Sequence, residues 1–139
     1  MTLDQAIARL RELNEPVPTP ARLPNEQEVA AAEAALGETF HPDFRTYLLN
    51  ASDIVFGTLE PVTITDADAH THLETVCRGA WDDYEVPQDL LPICEDNGDF
   101  YCLDRKGRVK FWSSDGDTSE SWPNLATWID QVWIGESDA

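Results

Sequence analysis

The chain has 139 residues, of which 27 are acidic and 9 are Lys or Arg, so its formal net charge is −18. This length predicts a single domain, and 5 Trp, 5 Phe and 3 Tyr predict a packed core rather than a disordered acidic segment. Nine basic residues cannot offset 27 carboxylates against phosphate, which argues against binding to nucleic acid or to an anionic membrane surface. The charge favours basic partners, although solubility alone explains it equally well.

Targeting signals and disulfides are not expected. No stretch approaches the roughly 18 apolar residues of a membrane span, and the N-terminus lacks the basic start and apolar run of a signal peptide. The 3 cysteines, Cys77, Cys94 and Cys102, are odd in number and form no C-x-x-C motif, so we expect reduced thiols in the core. These features predict a cytoplasmic protein.

Three helices are predicted in the first third of the chain. Apolar residues recur at helical spacing over 3–13, and a proline-rich linker follows. Gly37 ends a second helix in the left-handed conformation, and Pro42 begins a short third helix. The first two helices are predicted to begin with capping boxes, formed by Thr2 with Gln5 and by Asn25 with Glu28. The buried side of the third helix comprises Phe40, Phe44, Tyr47 and Leu48.

Strand patterns begin at Ile54. Residues 54–56 and 62–64 are predicted to be short strands, and 66–86 a short helix with a loop. The strongest β pattern follows, as strands over 90–94, 100–103 and 109–112. Asn97-Gly98 is typical of a type I′ hairpin turn, and 104–107 suits a type I turn.

The last predicted element is an amphipathic helix capped by Ser121, with Pro123 near its start and Gly135 at its end. Its predicted buried residues are Leu125, Trp128, Ile129, Val132 and Trp133. Helices, an antiparallel meander and a final helix define an α+β fold, with a twisted antiparallel sheet of about 5–6 strands.

The acids are unevenly distributed. Between Arg78 and Arg105 there is no basic residue, and after Lys110 there are six more acids and no base. Several of these acids lie in predicted turns, which predicts one acidic end of the sheet. The eight acids between the two arginines are Asp82, Asp83, Glu85, Asp89, Glu95, Asp96, Asp99 and Asp104.

Two tryptophans are bordered by acids in the sequence. Trp81 precedes Asp82-Asp83, and Trp112 precedes Ser113-Ser114-Asp115. Tryptophan anchors with surrounding carboxylates suit a protein interface that receives Lys or Arg. Ordinary burial of both indoles is the alternative.

No motif predicts catalysis. Asp66, Asp68, His70 and His72 are the one local cluster of metal-ligand types. On a helix they divide between two faces, whereas on a strand all four would lie on one side. The alternative is a helix N-terminus with Asp66 as its cap. No phosphate-binding loop, G-x-S-x-G or H-E-x-x-H is present. We therefore predict no catalytic residue, no cofactor and no metal, and keep a metal-dependent enzyme using His70 and His72 as the least favoured hypothesis.

Four segments in order resemble one family. They are Leu23-Pro24 entering the helix that ends Ala35-Leu36-Gly37, Phe40-His41-Pro42-Asp43-Phe44-Arg45-Thr46-Tyr47-Leu48, Val86-Pro87-Gln88-Asp89-Leu90-Leu91-Pro92-Ile93, and Asn97-Gly98-Asp99-Phe100-Tyr101-Cys102-Leu103-Asp104 with Gly107-Arg108-Val109 and Phe111-Trp112. In this order they resemble the SUKH superfamily, which contains the yeast cell-wall-assembly regulator and many bacterial immunity proteins. His41 replaces the usual leucine, and Ala51-Ser52-Asp53 stands where the family often has Asn-Gly.

The resemblance covers residues 23–133 of a single domain spanning 1–139, with 1–22 as a helical addition. It implies a non-catalytic α+β protein, favoured as a monomer, that binds and neutralises a cognate toxin, a basic nuclease being the partner that suits the charge. A regulatory protein-binding module like the yeast regulator is the alternative. The predicted partner-binding residues are Trp81, Asp82, Asp83, Glu85, Glu95, Asp96, Asp99, Trp112, Asp115 and Asp117.

Overall fold

The computed structural model describes residues 1–116 and 119–135, and within them it has five α-helices and one four-stranded antiparallel sheet. The helices are α1 (Leu3–Leu13), α2 (Glu26–Leu36), α3 (Pro42–Ala51), α4 (Leu73–Asp83) and α5 (Leu125–Trp128), and α5 continues as a π-helix over Ile129–Ile134. The strands, in sheet order, are β1 (Leu91–Asp96), β2 (Asp99–Leu103), β3 (Val109–Trp112) and β4 (Ser121–Trp122). The predicted α+β class is confirmed, with fewer strands than predicted.

Local capping chemistry sets the ends of α1 and α2. The side chain of Thr2 accepts the N–H of Gln5, and that of Asn25 accepts the N–H of Glu28, with the reciprocal bond present in each case. Gly37 ends α2 at φ +67°, where a residue without a Cβ meets no steric penalty. Both predicted capping boxes and the glycine end are confirmed.

The third helix contributes the centre of the core. Phe44 and Leu48 are fully buried, and Phe40 and Tyr47 are almost so. The hydroxyl of Tyr47 donates a hydrogen bond of 2.8 Å to the carbonyl of Val62, so its one polar group is satisfied inside the core. All four predicted core residues of this helix are buried as expected.

The predicted strands at 54–56 and 62–64 are wrong. Val62 donates to the carbonyl of Ile93 at the edge of β1, but Pro61 beside it has no N–H with which to extend a ladder. Thr63 then turns away and pairs with the chain around His72. Val55 instead pairs irregularly with the proline-rich linker, accepting the N–H of Glu15.

The meander is confirmed in detail. Asn97 and Gly98 have φ of +53° and +87°, which is the type I′ pattern that suits a twisted two-residue hairpin. Cys94 lies opposite Tyr101, as the predicted turn at Asn97-Gly98 requires, with a register irregularity between Pro92 and Cys94.

The final helix begins later than predicted. Asn124, not Ser121, caps α5 by accepting the N–H of Thr127, and Ser121 belongs to β4. Gly135 has φ −61° and is not a left-handed end. The five predicted buried residues of this helix are all buried.

The sheet is covered on both faces near its centre. On one face, α4 lies over β1, and the Sγ of Cys77 approaches the carbonyl of Pro92 at 3.6 Å. On the other face, Trp128 packs against Tyr101 with ring centroids 5.3 Å apart. With 11 residues, α4 is longer than the predicted short helix, and it packs on β1.

A tight turn between β2 and β3 is locked by a histidine. Gly107 has φ +88°, and an added Cβ would lie 2.5 Å from the Nε2 of His41. His41 cannot swing away freely because its Nδ1 accepts the N–H of Asp43 at the start of α3. The turn and α3 are therefore packed through this one ring.

We predict that Gly107→Ala lowers the free energy of unfolding by about 2–4 kcal/mol, because it adds both positive-φ strain and overpacking. Gly37→Ala is the matched control, since its φ is +67° but no atom lies within 4 Å of the added Cβ; it should cost only about 1 kcal/mol. Urea unfolding followed by tryptophan fluorescence measures both. Equal losses for the two variants would contradict the packing role of His41.

Candidate partner-binding surface

The meander separates charges between the two ends of the sheet. Successive turns of an antiparallel meander lie at alternate ends, so the β1–β2 turn and the β3–β4 connection share one end. The described residues of those two segments, 97–98 and 113–116 with 119–120, include acids but no base. The opposite end carries the β2–β3 turn with Arg105, Lys106 and Arg108. We call the first the acidic end.

The C-terminal end of α4 joins the acidic end through Tyr84. The ring of Tyr84 packs on Phe100 of β2 with centroids 5.3 Å apart, and it lies next to Gly98 of the hairpin turn. Asp82, Asp83 and Glu85 surround Tyr84 in sequence and are exposed. Three predicted carboxylates are thus placed beside the hairpin turn.

A hydrogen bond ties the two loops of the acidic end together. The N–H of Ser114 donates to an oxygen of Asp99 at 3.3 Å, and Asp115 follows on the exposed side. Trp112 stands opposite Phe100 in the register, with ring centroids 6.1 Å apart. Asp99, Trp112 and Asp115 therefore lie at the same end of the sheet, whereas Asp117 lies outside the described residues.

Glu95 and Asp96 line a cleft beside the acidic end. This cleft, with a volume of about 360 Å³, also contains Glu60 and His70. The Nε2 of His70 lies 2.7 Å from a carboxylate oxygen of Glu60. Glu95 and Asp96 therefore belong to this neighbouring cleft, and not to the surface around Tyr84.

Trp81 serves packing within the described structure. It is half-buried, and its Nε1–H donates to the carbonyl of Leu90 at 2.9 Å. This bond ties the last turn of α4 to the segment entering β1. Its indole N–H is thus already used inside the fold.

Among the described residues, the predicted acids have no cation partner, a property that they share with some other exposed acids, such as Asp68, Asp89 and Asp130. Elsewhere carboxylates pair with arginines, as Glu28 does with Arg22 at 2.6 Å. Burial alone would raise the pKa of Asp104, but hydrogen bonds from Arg108 and Lys106 outweigh it and lower that pKa. Within residues 1–116 and 119–135, no Lys, Arg or His lies within 4.0 Å of these seven carboxylates: Asp82, Asp83, Glu85, Asp96, Asp99, Glu95 and Asp115.

Sequence reasoning missed Tyr84. It is 41% exposed, one of the few large hydrophobic side chains that reach solvent, and it lies inside the base-free stretch from which the acids were chosen. Like Trp81, Tyr84 is an aromatic residue bordered by acids in the sequence. The sequence does not show how the end of α4 is oriented on the sheet, and this orientation exposes the ring of Tyr84 and half-buries that of Trp81.

Metal-ligand types do not converge in the described part of the chain. Among residues 1–116 and 119–135, no group of three or more His, Cys, Asp and Glu side chains could hold a metal ion. Asp66 accepts the N–H of Asp68 in a local turn and does not cap α4, where His72 occupies the N-cap position. The alternative placement of Asp66 as a helix cap is therefore wrong.

The cysteines are buried and free, as predicted. Burial raises the pKa of Cys94 to about 12, and it also raises the pKa values of Cys77 and Cys102. At neutral pH all three thiols are protonated, and a protonated thiol is a poor nucleophile and metal ligand.

The fold and this surface define a small α+β protein with an acidic face that carries an exposed aromatic side chain. The chain belongs to the SUKH superfamily: the SUKH_5 family model, described as SMI1-KNR4 cell-wall, matches residues 3–134 and so includes α1. A crystal structure of a protein from Pseudomonas syringae pv. tomato is similar, at 44% identity and a TM-score of 0.91 over 95% of this chain and 98% of that one. No curated protein matches the chain.

None of the described helices has the length and apolarity to cross a membrane.

Glu85, the residue after Tyr84, holds an uncommon backbone conformation. Its φ is +63°, and the N–H of Val86 after it donates to the carbonyl of Ala80, which closes α4. A left-handed residue with a Cβ costs roughly 1–2 kcal/mol. This strain fixes where the chain leaves the helix beside Tyr84.

We predict that Glu85→Gly is more stable to unfolding than Glu85→Ala by about 1 kcal/mol, because only glycine relieves the strain while both variants remove the carboxylate. Thermal unfolding of the two variants side by side measures the difference. Equal stabilities would mean that Glu85 is unstrained in solution.

Proposed function

We propose that this chain is an immunity protein, which binds a basic toxin domain and occludes its active site. The observation that carries the proposal is the acidic end, where exposed carboxylates stand without cations around Tyr84 and Trp112. Family membership supports a protein-binding role. The protein itself performs no catalysis in this proposal and uses no cofactor.

Electrostatics favour a nuclease among toxins. A nuclease must be basic where it holds phosphate. A protein of net charge −18 that has a group of unpaired carboxylates at one end of its sheet matches such a surface. Attraction between the two also speeds their encounter. The proposed partner-binding surface comprises Trp81, Asp82, Asp83, Glu85, Glu95, Asp96, Asp99, Trp112, Asp115 and Asp117.

A regulatory module with a cellular protein partner is the second candidate. The description of the matching family, SMI1-KNR4 cell-wall, favours it. The two candidates differ in whether the partner is toxic to the cell that makes it. Affinity capture from the native lysate, followed by co-expression of each captured protein with and without this chain, distinguishes them.

Under the immunity proposal, a captured basic domain stops growth when expressed alone, and co-expression of this chain restores growth. A captured protein that is harmless alone supports the regulatory module instead. Capture of a non-basic toxin would contradict the electrostatic part of the proposal.

We predict that the triple variant Asp83→Lys, Asp99→Lys and Asp115→Lys lowers toxin affinity by at least about 100-fold, because it opposes like charges at the interface. The matched control is Asp68→Lys, Asp89→Lys and Asp130→Lys. These three acids are also exposed and changing them alters the net charge equally, but they lie away from the acidic end.

Binding titrations and growth protection measure both triple variants. The control should keep its affinity within about threefold, since only its overall charge has changed. An equal loss of toxin affinity in the two triple variants would mean that the overall net charge, and not the position of the carboxylates at the acidic end, determines binding.

We further predict that wild-type affinity for the toxin falls at least about tenfold between roughly 0.05 M and 0.5 M NaCl, because salt screens exposed charge pairs. The Asp83, Asp99 and Asp115 triple variant should show a much smaller dependence. An affinity that is insensitive to salt would argue for an apolar interface.

A further inference from the structure

One strip of the sheet face stays uncovered beside α4. Lys110 and Trp112 are two residues apart on β3, so their side chains share this face, and both are half-buried. Ser121 of β4 stands next to Lys110 in the register and is exposed. Helix α4 covers the β1 side of the same face, so the described residues leave its β3 side open to solvent.

Three aromatic rings form the floor of this strip. Tyr84 contacts Phe100 with centroids 5.3 Å apart, and Phe100 contacts Trp112 at 6.1 Å. Phe100 is 1% exposed, whereas Tyr84 is 41% exposed. We call Tyr84, Phe100 and Trp112 the aromatic strip; Tyr84 and Trp112 are the two rings that a partner can reach.

The charges around the aromatic strip have one sign near Tyr84 and change at its far end. Asp83 and Glu85 flank Tyr84 in the sequence, and both are exposed. Lys110 lies two residues from Trp112 and is held by Asp104, 3.7 Å away. A cation laid on the strip is therefore drawn toward Tyr84 and repelled from the Lys110 end.

We propose that the aromatic strip binds an arginine side chain of the partner, with the guanidinium stacked on Tyr84 and its N–H groups directed to the neighbouring carboxylates. This proposal rests on the proposed protein-binding function and specifies its partner chemistry. A guanidinium is planar, weakly hydrated and able to stack on a ring while donating two parallel hydrogen bonds to a carboxylate. An ammonium has the same charge but cannot stack, so the strip favours arginine over lysine.

The test is an NMR titration of the whole 15N-labelled protein with two model peptides. The peptides are acetylated, amidated Gly-Arg-Gly-Arg-Gly and Gly-Lys-Gly-Lys-Gly, which have equal charge. We expect the arginine peptide to shift the indole N–H of Trp112 and the amides of Tyr84, Glu85 and Asp99, with an affinity at least about threefold above that of the lysine peptide. Equal affinities, or shifts elsewhere on the surface, would overturn the proposal.

Variants test whether Tyr84 provides the stacking surface. Tyr84→Ala should abolish the preference for arginine, and Tyr84→Phe should keep it, because the ring and not the hydroxyl is required. Val55→Ala is the control, since Val55 is exposed to a similar extent, 40%, on another part of the molecule. An unchanged preference in Tyr84→Ala, with Trp112 unshifted, contradicts the proposal.

Toxin protection separates this proposal from the proposed function. If Tyr84→Ala loses the arginine preference but still protects cells, the protein is an immunity protein that uses another contact. If the wild-type protein shows the arginine preference, Tyr84→Ala loses it and no captured protein is toxic, the aromatic strip binds arginine in a different cellular role.

Discussion

The chain reversal at Asn97 and Gly98 determines what the acidic end contains. Both residues have positive φ, and this turn type matches the twist of the strands that it joins. It starts β2 at Asp99, so Phe100 meets Tyr84 on one side and Trp112 on the other. A slip of one residue would turn every β2 side chain to the opposite face. The turn therefore positions both the aromatic strip and the carboxylates around it.

Arginines elsewhere hold the helices together, and this use leaves the acidic end without cations. Arg11 of α1 bonds to Asp53 beyond α3, and Arg45 of α3 bonds to Glu33 of α2. Arg78 donates from α4 to a backbone carbonyl of α2. A bidentate guanidinium is well suited to such joints. Although the whole chain has a net charge of −18, the described carboxylates of the acidic end in particular have no partner cation, because structural sites use most of the few Lys and Arg side chains.

Elements with strong local signals were predictable from the sequence, and those defined by tertiary contacts were not. The capping boxes and the Asn97-Gly98 turn depend on residues adjacent in sequence, which is why they were correct. The apolar segment 62–64 has strand propensity, but Pro61 breaks the ladder and Thr63 pairs toward α4. The acidic end followed from the meander itself. Tyr84 required the phase of α4 against the sheet, which no local pattern supplies.

The structure of the acidic end favours partner binding over solubility as the reason for its charge. Solubility requires net charge but not its concentration at one end, where like carboxylates repel one another and oppose folding. The same end also contains an exposed ring at Tyr84 and a left-handed Glu85. Each feature costs stability in the isolated protein, and such costs cluster where a surface is kept for function. A basic partner would offset the repulsion between these carboxylates and cover the Tyr84 ring in the same contact. Acids spread over the whole surface would not be neutralised together by one such partner.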